Sequence, residues 1–255
     1  MNKFDINNRV AQSNELILSS WKMDRTTLKL FEMAVSCIDT LYHDGTNKVF
    51  MDKEDIFRMF QADDRDKYSR FKDHCRKLQL QIVEVELKNK RIGTIVPITY
   101  IEWGSDDSDH HVEMHFNPKI MPYLVELKKH FTTYEIANLI SLKSKYSIIL
   151  YKLAKMNHWK SNSFTVTIEE LREITDTVTL YSRFESFERR VLREPIEEIN
   201  QARTDILLNY TKIKRGSHGR VTSIEFRLRE RLSYNDTDFD NPKPINRLQD
   251  LAKPL

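Results

Sequence analysis

The side chains best placed to hold a polyanion lie between Tyr181 and Asn200. On a 3.6-residue period Arg183, Ser186, Arg190 and Arg193 line one stripe of a helix, and Phe184, Phe187, Val191 and Ile199 line the opposite one. A guanidinium is a planar fork that can bond a guanine edge or a phosphate through two N–H groups at once, and a helix fits the major groove of a duplex. The competing reading is a solvated face whose arginines pair with Glu185, Glu188, Glu194 and Glu197. Arg189 falls between the two faces and reads as structural. Glu194 sets an acid inside the basic stripe. Pro195 lacks a backbone donor and predicts a kink or an end to the regular helix near Val191.

The residues after this helix favour the polyanion. A strand ending Thr211-Lys212-Ile213, a turn Lys214-Arg215-Gly216-Ser217-His218-Gly219-Arg220 and a return strand Val221 to Leu228 make a hairpin with a basic tip. A reading helix followed by such a hairpin is the winged-helix arrangement, in which the wing meets phosphate or the neighbouring minor groove. Lys212, Lys214, Arg215 and Arg220 are therefore expected at phosphates.

Catalytic readings find less. Asp106 to His115 gathers three Asp, one Glu and three His, yet the run reads as a polar loop passing into a strand rather than a metal site. Tyr68-x-x-x-Lys72 has the form of a nicking tyrosine with a helper lysine, but no paired-histidine metal motif accompanies it. No Gly-x-x-x-x-Gly-Lys-Ser/Thr loop is present, and the five glycines leave little room for one. No catalytic residue, metal or cofactor is expected. Cys37 and Cys75 lack metal or disulfide spacing and read as free buried thiols.

The elements that must position these residues recur in the same order in the two halves of the sequence. Tyr68-Ser69-Arg70-Phe71 is repeated as Tyr181-Ser182-Arg183-Phe184. Chance alone gives such a pair in roughly one chain of this length in three, so the flanks decide. Leu28, Phe31, Val35, Ile38 and Tyr42 keep helical spacing before a strand Val49 to Met51 and a helix from Asp52; Leu142, Tyr146, Ile149, Leu153 and Met156 do so before a strand Phe164 to Val166 and a helix from Ile168. A strand follows each basic helix, at Gln81 to Glu86 and at Asp205 to Tyr210. The pattern predicts an α+β protein of two tandem winged-helix domains related by internal duplication.

Boundaries are expected at residues 1–129 and 130–232, with a weakly ordered tail at 233–255 that is rich in Asn, Asp and Pro. The first domain has strand candidates Thr94 to Glu102 and Val112 to Phe116 and a helix candidate Ile120 to Leu127. Its basic helix offers Arg70, Lys77 and His74, and its hairpin tip offers Lys90 and Arg91, as auxiliary DNA contacts; the alternative is a domain that mediates protein contacts. The net charge of +3 is unevenly spread: Lys143 to Arg231 carries 18 Lys and Arg against 12 Asp and Glu, while the rest is net acidic. No signal segment or apolar membrane span is legible, so a cytoplasmic location is expected.

These features resemble the plasmid replication initiators of the RepA, RepB and RepE type, nearest to their Gram-positive branch. The resemblance is carried in order by Phe131-Thr132-Thr133-Tyr134-Glu135, Ser144-Lys145-Tyr146, Leu150-Tyr151-Lys152-Leu153, Trp159 before Phe164, Glu169-Glu170-Leu171, Tyr181, Phe187, Val191-Leu192, Pro195-Ile196 and Glu198-Ile199-Asn200. It is strong over residues 130–230 and rests on element order before that. It implies a non-enzymatic initiator that binds repeated origin sequences (iterons) in double-stranded DNA, helps open the adjacent duplex, and recruits the host initiator and replicative helicase. A homodimer through the N-terminal domain is implied as well. A winged-helix transcriptional repressor and, more remotely, a rolling-circle nicking enzyme are the alternatives.

Overall fold

Asp24 starts the central helix of the N-terminal half. Its carboxylate accepts the N–H of Thr27 at 2.9 Å, which satisfies one of the free donors of the first turn. In the computed structural model the described residues are 3–40, 45–60, 66–87, 91–104, 108–125, 127, 129–202, 204–216 and 219–231. They fall into two units, Met1–Ile140 and Ser141–Leu255.

In the first unit β1 (Arg9–Ser13) leads through α1 (Asn14–Leu18) to α2 (Arg25–Ser36). Leu28, Leu30, Phe31, Met33, Ala34 and Val35 bury α2 on most of its circumference. Then come β2 (Lys48–Asp52), α3 (Lys53–Phe60), α4 (Lys67–Gln79), β3 (Val83–Leu87), β4 (Arg91–Ile95), β5 (Ile98–Trp103) and β6 (His111–Phe116). A 3₁₀ turn, Met121–Tyr123, precedes β7 (Phe131–Glu135) and α5 (Ile136–Ile140). The main sheet is antiparallel with order β2-β6-β5, while among the described residues β3 pairs with β4 and β1 with β7 as separate two-stranded sheets. Alternate residues Val49 and Met51 of β2 and Val112, Met114 and Phe116 of β6 are buried, as expected of a sheet covered on one face.

Four expectations change here. The unit ends after Ile140 rather than Lys129, because Phe131–Glu135 pairs along its length with Arg9–Ser13. The long strand Thr94 to Glu102 is divided around Pro97, which cannot donate to a ladder. Of the helix expected over Ile120 to Leu127, the described residues form the 3₁₀ turn Met121–Tyr123, which contains Pro122; Glu126 lies outside them. Finally, the hairpin joined to β2 is β5–β6 and not β3–β4, so Arg91 to Gly93 of the basic segment belong to an inserted pair of strands, while Lys88 to Lys90 lie outside the described residues.

The second unit is α6 (Lys145–His158), β8 (Ser163–Thr167), α7 (Ile168–Ile174), a helix from Phe184 to Gln201, β9 (Ile206–Arg215) and β10 (Arg220–Glu230). The sheet order is β8-β10-β9, all antiparallel. Thr167 and Glu170 form a reciprocal capping box at the start of α7. Leu150, Tyr151, Leu171, Phe187, Val191, Leu192, Ile199 and Phe226 make the core. In both units a helix, a strand and two helices precede an antiparallel hairpin that pairs with the first strand, so the α+β fold is two winged-helix domains.

The repeated tetrapeptide is not in equivalent positions. Tyr68 to Phe71 lie inside α4, which starts at Lys67, whereas in the second copy Tyr181 to Arg183 precede the helix, with Tyr181 at φ 54° and Arg183 as N-cap, and Phe184 is its first residue. Phe71 is core, and its counterpart in burial is Phe187 rather than Phe184. The element order carries the duplication; the identical letters do not. Residues 233–255 lie outside the described set.

Candidate nucleic-acid interface

The arginine-bearing helix does not end near Val191. It runs as α8 (Phe184–Phe187), a π-helical segment Glu188–Arg193 and α9 (Glu194–Gln201). The wider turns have a cause in Pro195: in an α-helix its ring would collide with the Val191 carbonyl, and its missing N–H would leave that carbonyl unbonded. Phe187, Val191, Leu192, Pro195, Ile196 and Ile199 are buried, and Arg183, Glu185, Arg189, Arg190, Arg193, Glu194 and Glu197 are exposed. Ser186 is half-buried.

Arg189 is therefore a surface residue, with the same 52% side-chain exposure as Arg190. A strict 3.6 period misplaces it, because the π segment adds residues to the turn. Glu194 answers both arginines: its carboxylate is 3.2 Å from Arg190 Nη1 and 3.9 Å from Arg189 Nε. Such exposed pairs contribute about 0.5 kcal/mol, so a phosphate can displace them. The side chains of Arg183 and Arg193 make no hydrogen bond or ion pair with other described residues.

The wing places Lys214 opposite Val221 and Arg215 directly opposite Arg220. Two like charges in one cross-strand pair cost about 0.2–1 kcal/mol, a repulsion that an anion at the tip would remove. Gly216 and Gly219, at φ 84° and 60°, make the turn possible, and Gly219 N–H donates to the Gly216 carbonyl at 3.1 Å. Ser217 and His218 lie outside the described residues.

Lys212 is not at the tip. Its ammonium sits 3.0 Å from Glu188, which also accepts the Tyr210 hydroxyl at 2.9 Å. This cluster fastens the base of the wing to the π segment. Burial alone would raise the Glu188 carboxyl, but the bonds from Lys212 and Tyr210 bring it below its ordinary value. The helix is held from its other end by Asn200, whose side-chain amide gives and accepts 2.8 Å bonds with the backbone of Leu208.

In the first unit the candidates are occupied differently. Lys77 is 2.8 Å from Asp24, the buried His74 bonds Thr27 Oγ1 at 2.9 Å, and the half-buried Arg70 reaches the Phe60 carbonyl at 3.4 Å. These side chains brace α4 against α2 and the end of α3. Lys72, Arg76 and Lys77 are all exposed on α4, and of the three Lys77 is the one engaged by Asp24; their places on the helix were readable, but the partners of Lys77 and His74 were not. Arg91 is exposed on β4, and Lys90 lies outside the described residues.

Tyr68 packs edge-on against Phe57 at 5.2 Å, with the Lys53 and Lys67 ammonium groups each 5.5 Å from its ring. His111 pairs with Asp52 and His115 with Glu113, and among the described residues no group of three or more His, Cys, Asp or Glu could hold a metal ion. Cys37 and Cys75 are free and buried; burial raises both thiols, Cys75 to about 12. No helix among the described residues is long and apolar enough to cross a membrane.

Comparison with known proteins gives a consistent picture. Residues 9–155 match the family "Initiator Replication protein, WH1" and residues 167–228 match "Initiator Rep protein, WH2". The PI protein of Escherichia coli is 31% identical over 120 residues, covering 41% of this chain and 39% of that protein. A replication initiation protein of Escherichia coli is 22% identical over 198 residues, covering 75% of this chain and 61% of its own length. The chain thus spans less than two thirds of these relatives. Among solved structures, the Pi initiator protein in complex with iteron DNA superposes with a TM-score of 0.70 at 20% identity, over 88% of this chain and 98% of that one. Domains 2 and 3 of RctB superpose at 0.50 and 14% identity, over 81% and 80%. The relatives give no support to the Gram-positive branch.

Proposed function

Because the chain belongs to the family of initiator replication proteins, we propose that it is a plasmid replication initiator that binds iterons in double-stranded origin DNA. The observation that carries this reading is the pairing of two basic devices in one unit. Arg183, Arg189, Arg190 and Arg193 stand exposed on a single helix, and Arg215 and Arg220 are forced together at the tip of the adjoining wing. The helix suits the major groove, and the wing suits the phosphates beside it. Lys214 joins the wing contact, while Lys212 stiffens its base.

On this reading the chain acts in the bacterial cytoplasm by binding, not catalysis. It promotes opening of the origin and recruits the host initiator and replicative helicase. The first unit serves as a second reader through Lys72 and Arg76, with Arg91 on its inserted hairpin, or as the surface for a second copy. Titration of full-length protein onto duplex from beside its gene, over a salt series, tests the reading. Each phosphate contact should contribute about −0.9 to the slope of log K against log salt, so several units are expected. A flat response, or equal affinity for random duplex, would overturn it. Loss of plasmid maintenance when the protein is removed separates an initiator from a repressor of the same fold.

A further inference from the structure

The turn ahead of the reading helix displays apolar side chains on a backbone held under strain. Asp176 and Tyr181 bracket it at φ 55° and 54°, a left-handed conformation unusual for residues other than glycine. Between them Val178 is 65% exposed and Leu180 47% exposed. Neither side chain repays the strain by entering the core, and strain of this kind persists where function requires a fixed backbone.

Arg172 fixes it. One guanidinium nitrogen donates to the carbonyls of Thr177 at 3.0 Å and Leu180 at 2.7 Å, and the other donates to that of Tyr181 at 2.9 Å. The same guanidinium lies 4.3 Å from the centre of the buried Phe187 ring. Thr177 N–H donates to the Arg172 carbonyl at 2.8 Å, and the Thr175 and Thr177 hydroxyls meet at 2.8 Å. The turn is therefore tied to the first turns of the reading helix as one rigid piece. Three residues beyond Leu180 comes Arg183, exposed and without an acidic partner among the described residues.

We propose that Val178 and Leu180 read thymine methyl groups at the edge of the DNA site, and that Arg172 is the positioning residue that presents them. The cationic flank selects DNA as the occupant, and the one apolar group on a major-groove edge is the thymine C5-methyl. The inference rests on the DNA-binding reading of the preceding section.

The test begins with selection of duplexes from a random library by the full-length chain. The best duplex is then compared with copies carrying deoxyuridine at single thymines, which lack only the methyl. With wild-type protein at least one such replacement should weaken binding about fourfold, the value for one buried methyl. Val178→Ala or Leu180→Ala should lose a similar factor on the thymine duplex and become indifferent to the replacement. Arg172→Lys, which keeps the charge and loses the fork, should weaken the selected duplex several-fold while leaving random duplex unchanged. If no sequence is enriched, the DNA-binding reading itself fails. If a sequence is enriched but uracil is tolerated at every thymine, or the variants keep the wild-type thymine preference, this inference alone is overturned; so it is if the alanine variants lose binding to an unrelated protein and not to DNA.

Discussion

A carboxylate oxygen of Glu198, on α9, accepts the backbone N–H of Ser144 at 3.1 Å. The other oxygen accepts the N–H of Lys143, and the Ser147 hydroxyl completes the set. A side chain of α9 thus serves the free donors at the start of α6, which fixes the angle at which the arginines are presented. Glu198→Ala should lower the stability of the second unit by about 2 kcal/mol, the cost of stranding donors that bonded a charged group. Urea unfolding of the full chain reads this directly, and an unchanged midpoint would mean that the cap is idle.

Glu188 restrains Lys212, so removing its charge should free a cation for DNA. For Glu188→Gln the slope of log K against log salt is expected to steepen by about 0.9, one phosphate contact. Affinity for random duplex should rise with it. An unchanged slope, measured by anisotropy from low to moderate salt, would show that Lys212 cannot reach the backbone even when released.

The contrast between Lys212 and Arg215 shows what the sequence could and could not convey. The reading helix and wing were legible because their signals are local: apolar residues at helical spacing, glycines at a turn, alternating strands. The partner that withdraws Lys212 is 24 positions away, and the one that withdraws Lys77 is 53 positions away. No local rule couples such pairs. The same limit explains the hairpins, since β3–β4 and β5–β6 have equally good local patterns and only the tertiary pairing with β2 separates them. It also explains Arg9–Ser13, whose partner strand lies at the far end of the unit, and whose Gln12 is buried because it bonds Glu32 at 2.8 Å. Arg189 was misplaced for a different reason: the π segment changes the period itself.

Arg215 and Arg220 face one another across the wing, which sets stability against binding. Arg215→Ala should stabilise the free protein by a few tenths of a kcal/mol, up to about 1. It should also weaken DNA binding and make the salt slope shallower by about 0.9. Thermal unfolding without DNA and titration with it give the two readings. An unchanged affinity and salt slope would argue that the wing does not meet phosphate.

Asp24 provides a pH signature for the first unit. Burial would raise its carboxyl, but the bonds from Lys77 and the Thr27 backbone hold it at about 2 against an ordinary 3.8. The folded value lies below the unfolded one, so the stabilisation is complete above about pH 4 and is lost as the pH falls towards 2. With 44% of the side chain exposed, solvent screening reduces the contribution to roughly 1 kcal/mol. Asp24→Asn should lose this amount at pH 7, and by pH 3 the difference from wild type should shrink by about half. A gap that is constant with pH would assign the loss to helix capping alone.

Pro195 is the residue through which helix geometry and DNA reading can be separated. Pro195→Ala restores a backbone donor and removes the clash that favours wide turns, a change worth up to about 3 kcal/mol within a helix. Part of that gain is lost because Pro195 is buried and alanine is smaller. As the segment Glu188–Arg193 tightens towards α-helical spacing, Arg189 and Arg190 can no longer share the exposed face as they do now. Affinity for the specific duplex should fall, while affinity for random duplex, which needs only charge, should hold. The ratio of the two affinities is therefore the deciding measurement, and amide exchange at Val191 and Leu192 reports the change in hydrogen bonding. If the ratio survives while exchange shows an α-helical pattern, the π segment is a consequence of the proline with no part in recognition.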